Sequence, residues 1–221
     1  MLANVDLVAL LRAQLHTYHV ATVACPLPPP SVPLTWIVAA NGTFLRGTNP
    51  TREIVVQVDR HPSVIPGLVP LHPSVVWPQG RTRLPGRLLL QVLSHARQAV
   101  DGRGHPVEQQ YWITDRGAGL TVIRPPQRAN AVRVITPRSN LPILVDIHSH
   151  HRMDASFSST DDHDDALQLG VSVVIGTIWT QPTLRVRLCV YGYTEDVPAT
   201  SIFTELGPFR DVHRGGRHER S

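Results

Sequence analysis

The chain has no lysine: all 21 of its basic residues are arginine. Its two cysteines, Cys25 and Cys189, stand 164 positions apart and form no C-x-x-C pair, which excludes a disulfide framework and a thiolate zinc cage. Any metal must then be held by histidine and carboxylate. No apolar run approaches the ~18 residues of a membrane span. The opening MLANVDLVALLRAQL also lacks the basic start and small-residue cleavage site of a secretory signal, so the expectation is a soluble cytoplasmic protein. Aromatic residues make up only 5% of the chain, and glutamate occurs five times, at 53, 108, 195, 205 and 219. With 221 residues and 42% apolar content, the chain is long enough to bury a core, as one domain with an appendage or as two small domains.

A net charge of +4 invites a nucleic-acid reading, and its distribution weakens that reading. Residues 1–145 hold 14 arginines against 6 acids, scattered singly, with Arg81-Thr82-Arg83 as the densest basic stretch. Residues 146–170 reverse the sign, with six aspartates against one arginine, and four histidines lie between 148 and 163. The chemistry is therefore concentrated in an acidic, His-rich segment. Nucleic-acid binding stays as a lesser alternative.

Along the chain, Leu7, Val8, Leu11 and Leu15 recur at helical spacing and predict a helix over 4–19, followed by a strand in VATVAC and a proline-rich loop. Asn41-Gly42 between two apolar runs predicts a hairpin whose turn residues take positive φ. Another strand is expected over 51–58. Six prolines between 62 and 85 forbid a long helix, so residues 1–80 are expected to form an N-terminal accessory region. A main domain over 81–205 follows. It opens with a helix whose face is Leu88, Leu89, Val92, Leu93 and Ala96 and which stops at Gly102. PVEQQYWI, GLTVIR and NAVRVI are expected strands, and LPILVDI at 141–147 has the continuous apolar character of a strand buried on both faces. A helix starting near Ser158 and two further strands, VSVVIGTIW and TLRVRLCVYGY, complete it. Residues 206–221 are expected to be a flexible tail.

The buried strand runs into His148-Ser149-His150. Side chains alternate along a strand, so both imidazoles project to one side, within reach of one ion. Seven residues later, Ser158-Ser159-Thr160-Asp161 opens a helix whose first turn can present Asp161 as an oxygen ligand. Two histidines and one carboxylate leave the fourth tetrahedral position open, the pattern of catalytic rather than structural zinc. Hydrolysis also needs a base and an oxyanion donor. Among the five glutamates, Glu108 is the one expected on a main-domain strand after the long helix, and Ser158 sits one turn before Asp161. In isolation S-x-x-D is a helix-capping pattern, and H-x-H alone is a weak signal; their spacing after a buried strand makes them specific together.

These residues, H-S-H-x7-S-x-x-D with an upstream glutamate, resemble the JAMM (MPN+/JAB) metalloprotease family. The resemblance covers about residues 86–195. It implies an α/β fold of cytidine-deaminase-like type, a mixed sheet flanked by helices, here behind a β-rich N-terminal region. It also implies a zinc cofactor held by His148, His150 and Asp161, with Glu108 as base, Ser158 as oxyanion donor, and a ubiquitin-like protein as substrate. The form IHSHHRMDASFSSTDDHDD is similar to members found in bacterial cassettes with activating- and conjugating-enzyme-like components, which become candidate partners. A chain without lysine offers such a system no side-chain amine to tag. Many family members carry proline where this chain has His151, and the Glu108 strand lacks the usual E-x-x-G. Asp146 is either a structural acid or, with His151, a candidate for orienting an imidazole. Asp162, His163, Asp164 and Asp165 are expected as flanking polar residues, and Trp112 and Trp179 as core. The opposing function class is a DNA- or partner-binding cassette component in which the metal site is structural or vestigial.

Overall fold

A computed structural model of the chain describes residues 16–213, apart from 116, 118, 130–133 and 137–140. The elements run β1 (His16–Val20), β2 (Leu34–Ala39), β3 (Gly42–Asn49), β4 (Arg52–Arg60), β5 (Ser74–Val76), α1 (Arg87–Arg97), β6 (Gln110–Asp115), β7 (Leu120–Ile123), β8 (Arg128–Ala129), β9 (Val134–Ile135), β10 (Ile143–His150), α2 (Ser159–Asp165), β11 (Leu169–Gly176), β12 (Thr183–Val190), β13 (Tyr193–Val197) and β14 (Arg210–Asp211). Strands β1 to β5 form one sheet in sequence order. The second sheet has the order β13-β12-β11-β10-β6-β7, with β14 also on β12; the β10–β11 and β12–β14 pairs are parallel and the other pairs antiparallel. The architecture is mixed α/β.

Period-two alternation decides what each strand buries. In β10, Val145 and Ile147 enter the main core, while Asp146, His148 and His150 project to the opposite face. The strand is buried or half-buried along its whole length, as expected, with one face in the core and the other at the site. The same division continues into β12, where Leu184, Val186, Leu188 and Val190 are core and Arg185 and Arg187 alternate with them. One contiguous core joins Leu34, Leu45, Ile54 and Val56 of the first sheet to α1 and to the second sheet. A smaller cluster of Ala21, Ile37, Ala39, Phe44 and Val55 fills the other face of the first sheet.

Helix α1 buries Leu88, Leu89, Val92, Leu93 and Ala96 as predicted, but it ends at Arg97, with Gln98 as its C-cap, five residues before Gly102. Several other expectations shift. Residues 16–20 are strand, so the expected 4–19 helix does not extend over 16–19, while Leu7, Val8, Leu11 and Leu15 lie outside the described residues. The β2–β3 hairpin exists, yet neither Asn41 nor Gly42 takes a positive φ. Asn41 instead bonds Leu71 through both side-chain atoms, at 2.8 and 2.9 Å. Gly42 is needed for closeness, because a Cβ there would sit 2.3 Å from the Asp59 carbonyl oxygen. Most of the expected NAVRVI strand falls among residues not described; Val134 and Ile135 pair with β8. In the expected tail, Asp211 lies in β14 and accepts from the Ala199 amide at 2.7 Å, while 214–221 lie outside the described residues. Among the described residues, no helix is long and apolar enough to cross a membrane.

Candidate metal centre

His148 and His150 leave the same face of β10, and their Nε2 atoms stand 3.2 Å apart. The chain then crosses β11. Thr177 and Ile178 amides donate to the Met153 and His151 carbonyls, both at 2.8 Å, and the Ala155 amide donates to Thr183 Oγ1 at 3.1 Å. This crossing depends on Gly176, where a Cβ would lie 2.4 Å from both the Met153 oxygen and the Ala155 nitrogen. The loop so pinned delivers Ser158 as the N-cap of α2.

Ser158 and Asp161 form a capping box: the Ser158 amide and Oγ donate to Asp161 Oδ2 at 2.6 and 2.7 Å, and Ser158 Oγ accepts from the Asp161 amide at 3.3 Å. Capping and ligation are therefore not rivals here. The cap occupies Oδ2 and fixes the carboxylate, which leaves Oδ1 aimed at His148 Nε2, 3.4 Å away. Zinc–ligand distances near 2.0–2.1 Å place neighbouring donors of a tetrahedral ion roughly 3.3 Å apart. The His148–His150 and His148–Asp161 edges, at 3.2 and 3.4 Å, match that spacing, while the His150–Asp161 edge is longer and would close on an ion by a small side-chain adjustment. Among the described residues, donors of His148, His150 and Asp161 all lie within 4.8 Å of one another.

Electrostatics favour the same species. Burial pushes the His148 and His150 pKa values down, so both imidazoles are neutral near neutral pH and can offer lone pairs. Burial alone raises Asp161, but the adjacent His148 and the Ser158 hydrogen bonds outweigh it and hold the carboxyl below its ordinary value. Glu108 is buried, and its Oε1 lies 3.8 Å from His150 Nε2. Burial, reinforced by the Asp161 charge, pushes its pKa up to about 7, the range in which a carboxylate exchanges protons at neutral pH.

The structure brings His148, His150, Asp161, Ser158 and Glu108 to one pocket. Glu108, expected on a strand, lies instead two positions before β6. The Gln109 amide donates to Ser149 Oγ at 3.1 Å and the Ser149 amide to the Gln109 carbonyl at 3.0 Å, which ties the glutamate's segment to the H-S-H strand. Asp146 lines the pocket but is held by Gln110 Nε2, at 2.6 and 2.7 Å, with its pKa raised to about 7 by burial. His151 is buried and stacks on Trp179, ring centroids 5.5 Å apart. Among the described residues neither Asp146 nor His151 hydrogen-bonds His148 or His150. Trp112 is buried as expected, whereas Trp179 is 40% exposed and serves as the stacking partner of His151. Asp162 and Asp165 are more than flanking acids: both are bound by Arg187, a residue that the sequence reading passed over.

Residues 87–189 match the family model described as prokaryotic homologs of the JAB domain. That span runs from α1 through most of β12 and contains every residue of the site. It carries the likeness to the JAB/MPN family, and its mixed sheet with flanking helices is consistent with a JAB-type fold. No curated protein matches the chain.

Proposed function

We propose that the protein is a zinc-dependent peptidase or isopeptidase acting at the C-terminus of a ubiquitin-like protein, maturing it or releasing it from a target lysine. The observation that carries this reading is the convergence of two neutral imidazoles and one carboxylate oxygen within 4.8 Å of one another, with a buried glutamate beside them. The donor set is nitrogen and oxygen, which suits zinc in its hydrolytic role. Held by His148, His150 and Asp161, zinc would polarise the scissile carbonyl and acidify water.

The remaining work falls to the chain. Glu108 takes the proton of the attacking water and returns it to the leaving amine, a task matched to its raised pKa. Ser158 holds Asp161 in the structure described, and its hydroxyl must turn from Oδ2 to donate to the developing oxyanion. The sequence around the ligands resembles the JAB-domain protein A of the bacterial PRTRC cassette, which makes the ubiquitin-like component of such a cassette the preferred substrate.

The test combines metal analysis with incubation of the purified protein and a ubiquitin-like protein fused through its C-terminus to a reporter. Glu108→Gln should keep zinc and lose cleavage by roughly a hundredfold or more. His148→Ala and Asp161→Ala should lose the metal itself. Full activity in Glu108→Gln would remove the base assignment. Absence of zinc together with salt-sensitive DNA retention would replace the hydrolase reading with the nucleic-acid one.

A further inference from the structure

Helix α2 contains no apolar residue: its seven positions are Ser, Thr, four Asp and one His. So short a helix does not hold itself, and it has no hydrophobic face to dock. Yet it must deliver Asp161 to within a few tenths of an ångström.

We propose that Arg187 is the positioning residue of the metal centre, clamping the segment 157–165 so that Asp161 Oδ1 faces the histidine pair. This rests on the reading of His148, His150 and Asp161 as metal ligands. Arg187 projects from β12 on the site face, paired in register with Ser172 of β11, which in turn pairs with Asp146 of β10. It is only 4% exposed. Its Nε donates to Asp165 Oδ2 and one terminal nitrogen to Asp162 Oδ1, both at 2.5 Å, while the other terminal nitrogen approaches the same Asp165 oxygen. Asp165 Oδ1 accepts from Ser172 Oγ at 2.7 Å and from Gln168. The flat face of the guanidinium covers Phe157, 3.8 Å from the ring centroid, and that ring meets His148 edge-on.

One side chain thus grips the chain before Ser158, at Phe157, and after Asp161, at Asp162 and Asp165. The four residues between, Ser158 to Asp161, begin with the cap and end with the proposed ligand. A planar fork with a stackable face can do all three tasks at once, and an ammonium cannot. A buried cation near a metal site opposes the metal's charge, but here two carboxylates neutralise it, so its geometry outweighs its field.

The test measures zinc dissociation constants by chelator competition, and the visible absorption of the cobalt-loaded protein, in Arg187→Lys and Asp162→Asn. Asp162 is 40% exposed at its side chain, so the second variant leaves the fold intact. Leu89→Ala, which weakens the core from α1, is the control. Arg187→Lys should lose roughly 10–100-fold in zinc affinity, Asp162→Asn less, with both cobalt spectra altered. The Leu89→Ala variant should melt at lower temperature yet keep the affinity and spectrum of the folded protein. Wild-type affinity and spectrum in Arg187→Lys overturn the proposal, as does an equal loss in Leu89→Ala. If Arg187→Lys does not fold, Asp162→Asn decides alone, and an unchanged spectrum and affinity there overturn it. Unchanged binding in the variants leaves the metal reading standing; a wild-type chain that takes up neither zinc nor cobalt overturns both.

Discussion

The two α-helices among the described residues are held by opposite means. Helix α1 buries five apolar side chains and has no acid in its first turn. Helix α2 buries only Asp165 and docks through the Arg187 guanidinium. Burial by the hydrophobic effect is strong and non-directional, so α1 can secure the core without fixing any one atom closely. Charge-assisted hydrogen bonds are directional, so α2 adds little to the core but fixes where a carboxylate points. Stability and precision are thus assigned to different helices, and Asp161, the proposed ligand, sits on the one held by directional bonds.

Substitutions should separate these roles. The largest effect is expected from Leu89→Ala, a fully buried α1 residue whose truncation should cost about 2–5 kcal/mol in urea unfolding. A loss below ~1 kcal/mol would mean that α1 is not the anchor.

A buried carboxylate without a guanidinium sharpens the contrast with α2. Glu195 on β13 accepts from the Gln57 amide at 2.5 Å and joins the two sheets, but it makes no ion pair among the described residues. Burial pushes its pKa up to about 7, against 4.5 for the free side chain. The folded state therefore holds this proton more tightly than the unfolded one. The resulting stability is fully present below about pH 4.5 and is lost as pH rises through about 7. Stability should fall by up to about 3 kcal/mol from this group between pH 5 and 8, and Glu195→Gln should flatten that slope. An identical pH profile in the variant would show that Glu195 is not the titrating latch.

The smallest effect belongs to the cap. Ser158→Ala removes the hydroxyl from Asp161 but leaves the Ser158 amide bond to Oδ2, and should cost about 1 kcal/mol of stability while zinc is retained. Loss of the metal in that variant would move Ser158 from supporting Asp161 to being indispensable to it.

Much of the site was legible because its spacing is local. H-x-H on a strand and S-x-x-D at a helix start each place their atoms through backbone geometry within four residues, and both occur as expected. Glu108 was found by the scarcity of glutamate, but its place before β6 depends on Ser149 bonding Gln109, forty positions apart. Arg187 was not legible: in sequence it is one arginine among 21, and its partners Asp162 and Asp165 lie 25 and 22 residues away. The hairpin at Asn41-Gly42 was recognised for the wrong reason, since the side-chain bonds to Leu71 and the close Asp59 backbone come from distant segments.

By itself the sequence determined the donor chemistry. Two unpaired cysteines leave nitrogen and oxygen as ligands, and periods of two and of one helical turn fix which residues offer them. Only the tertiary structure decided that His148, His150 and Asp161 meet within 4.8 Å of one another, that a buried Glu108 stands beside them, and that an apolar-free helix is clamped by Arg187. The reason is physical: local geometry follows from covalent bonds and backbone hydrogen bonds, whereas these meetings exist only after burial has brought β10, β11 and β12 side by side and removed water from between their side chains.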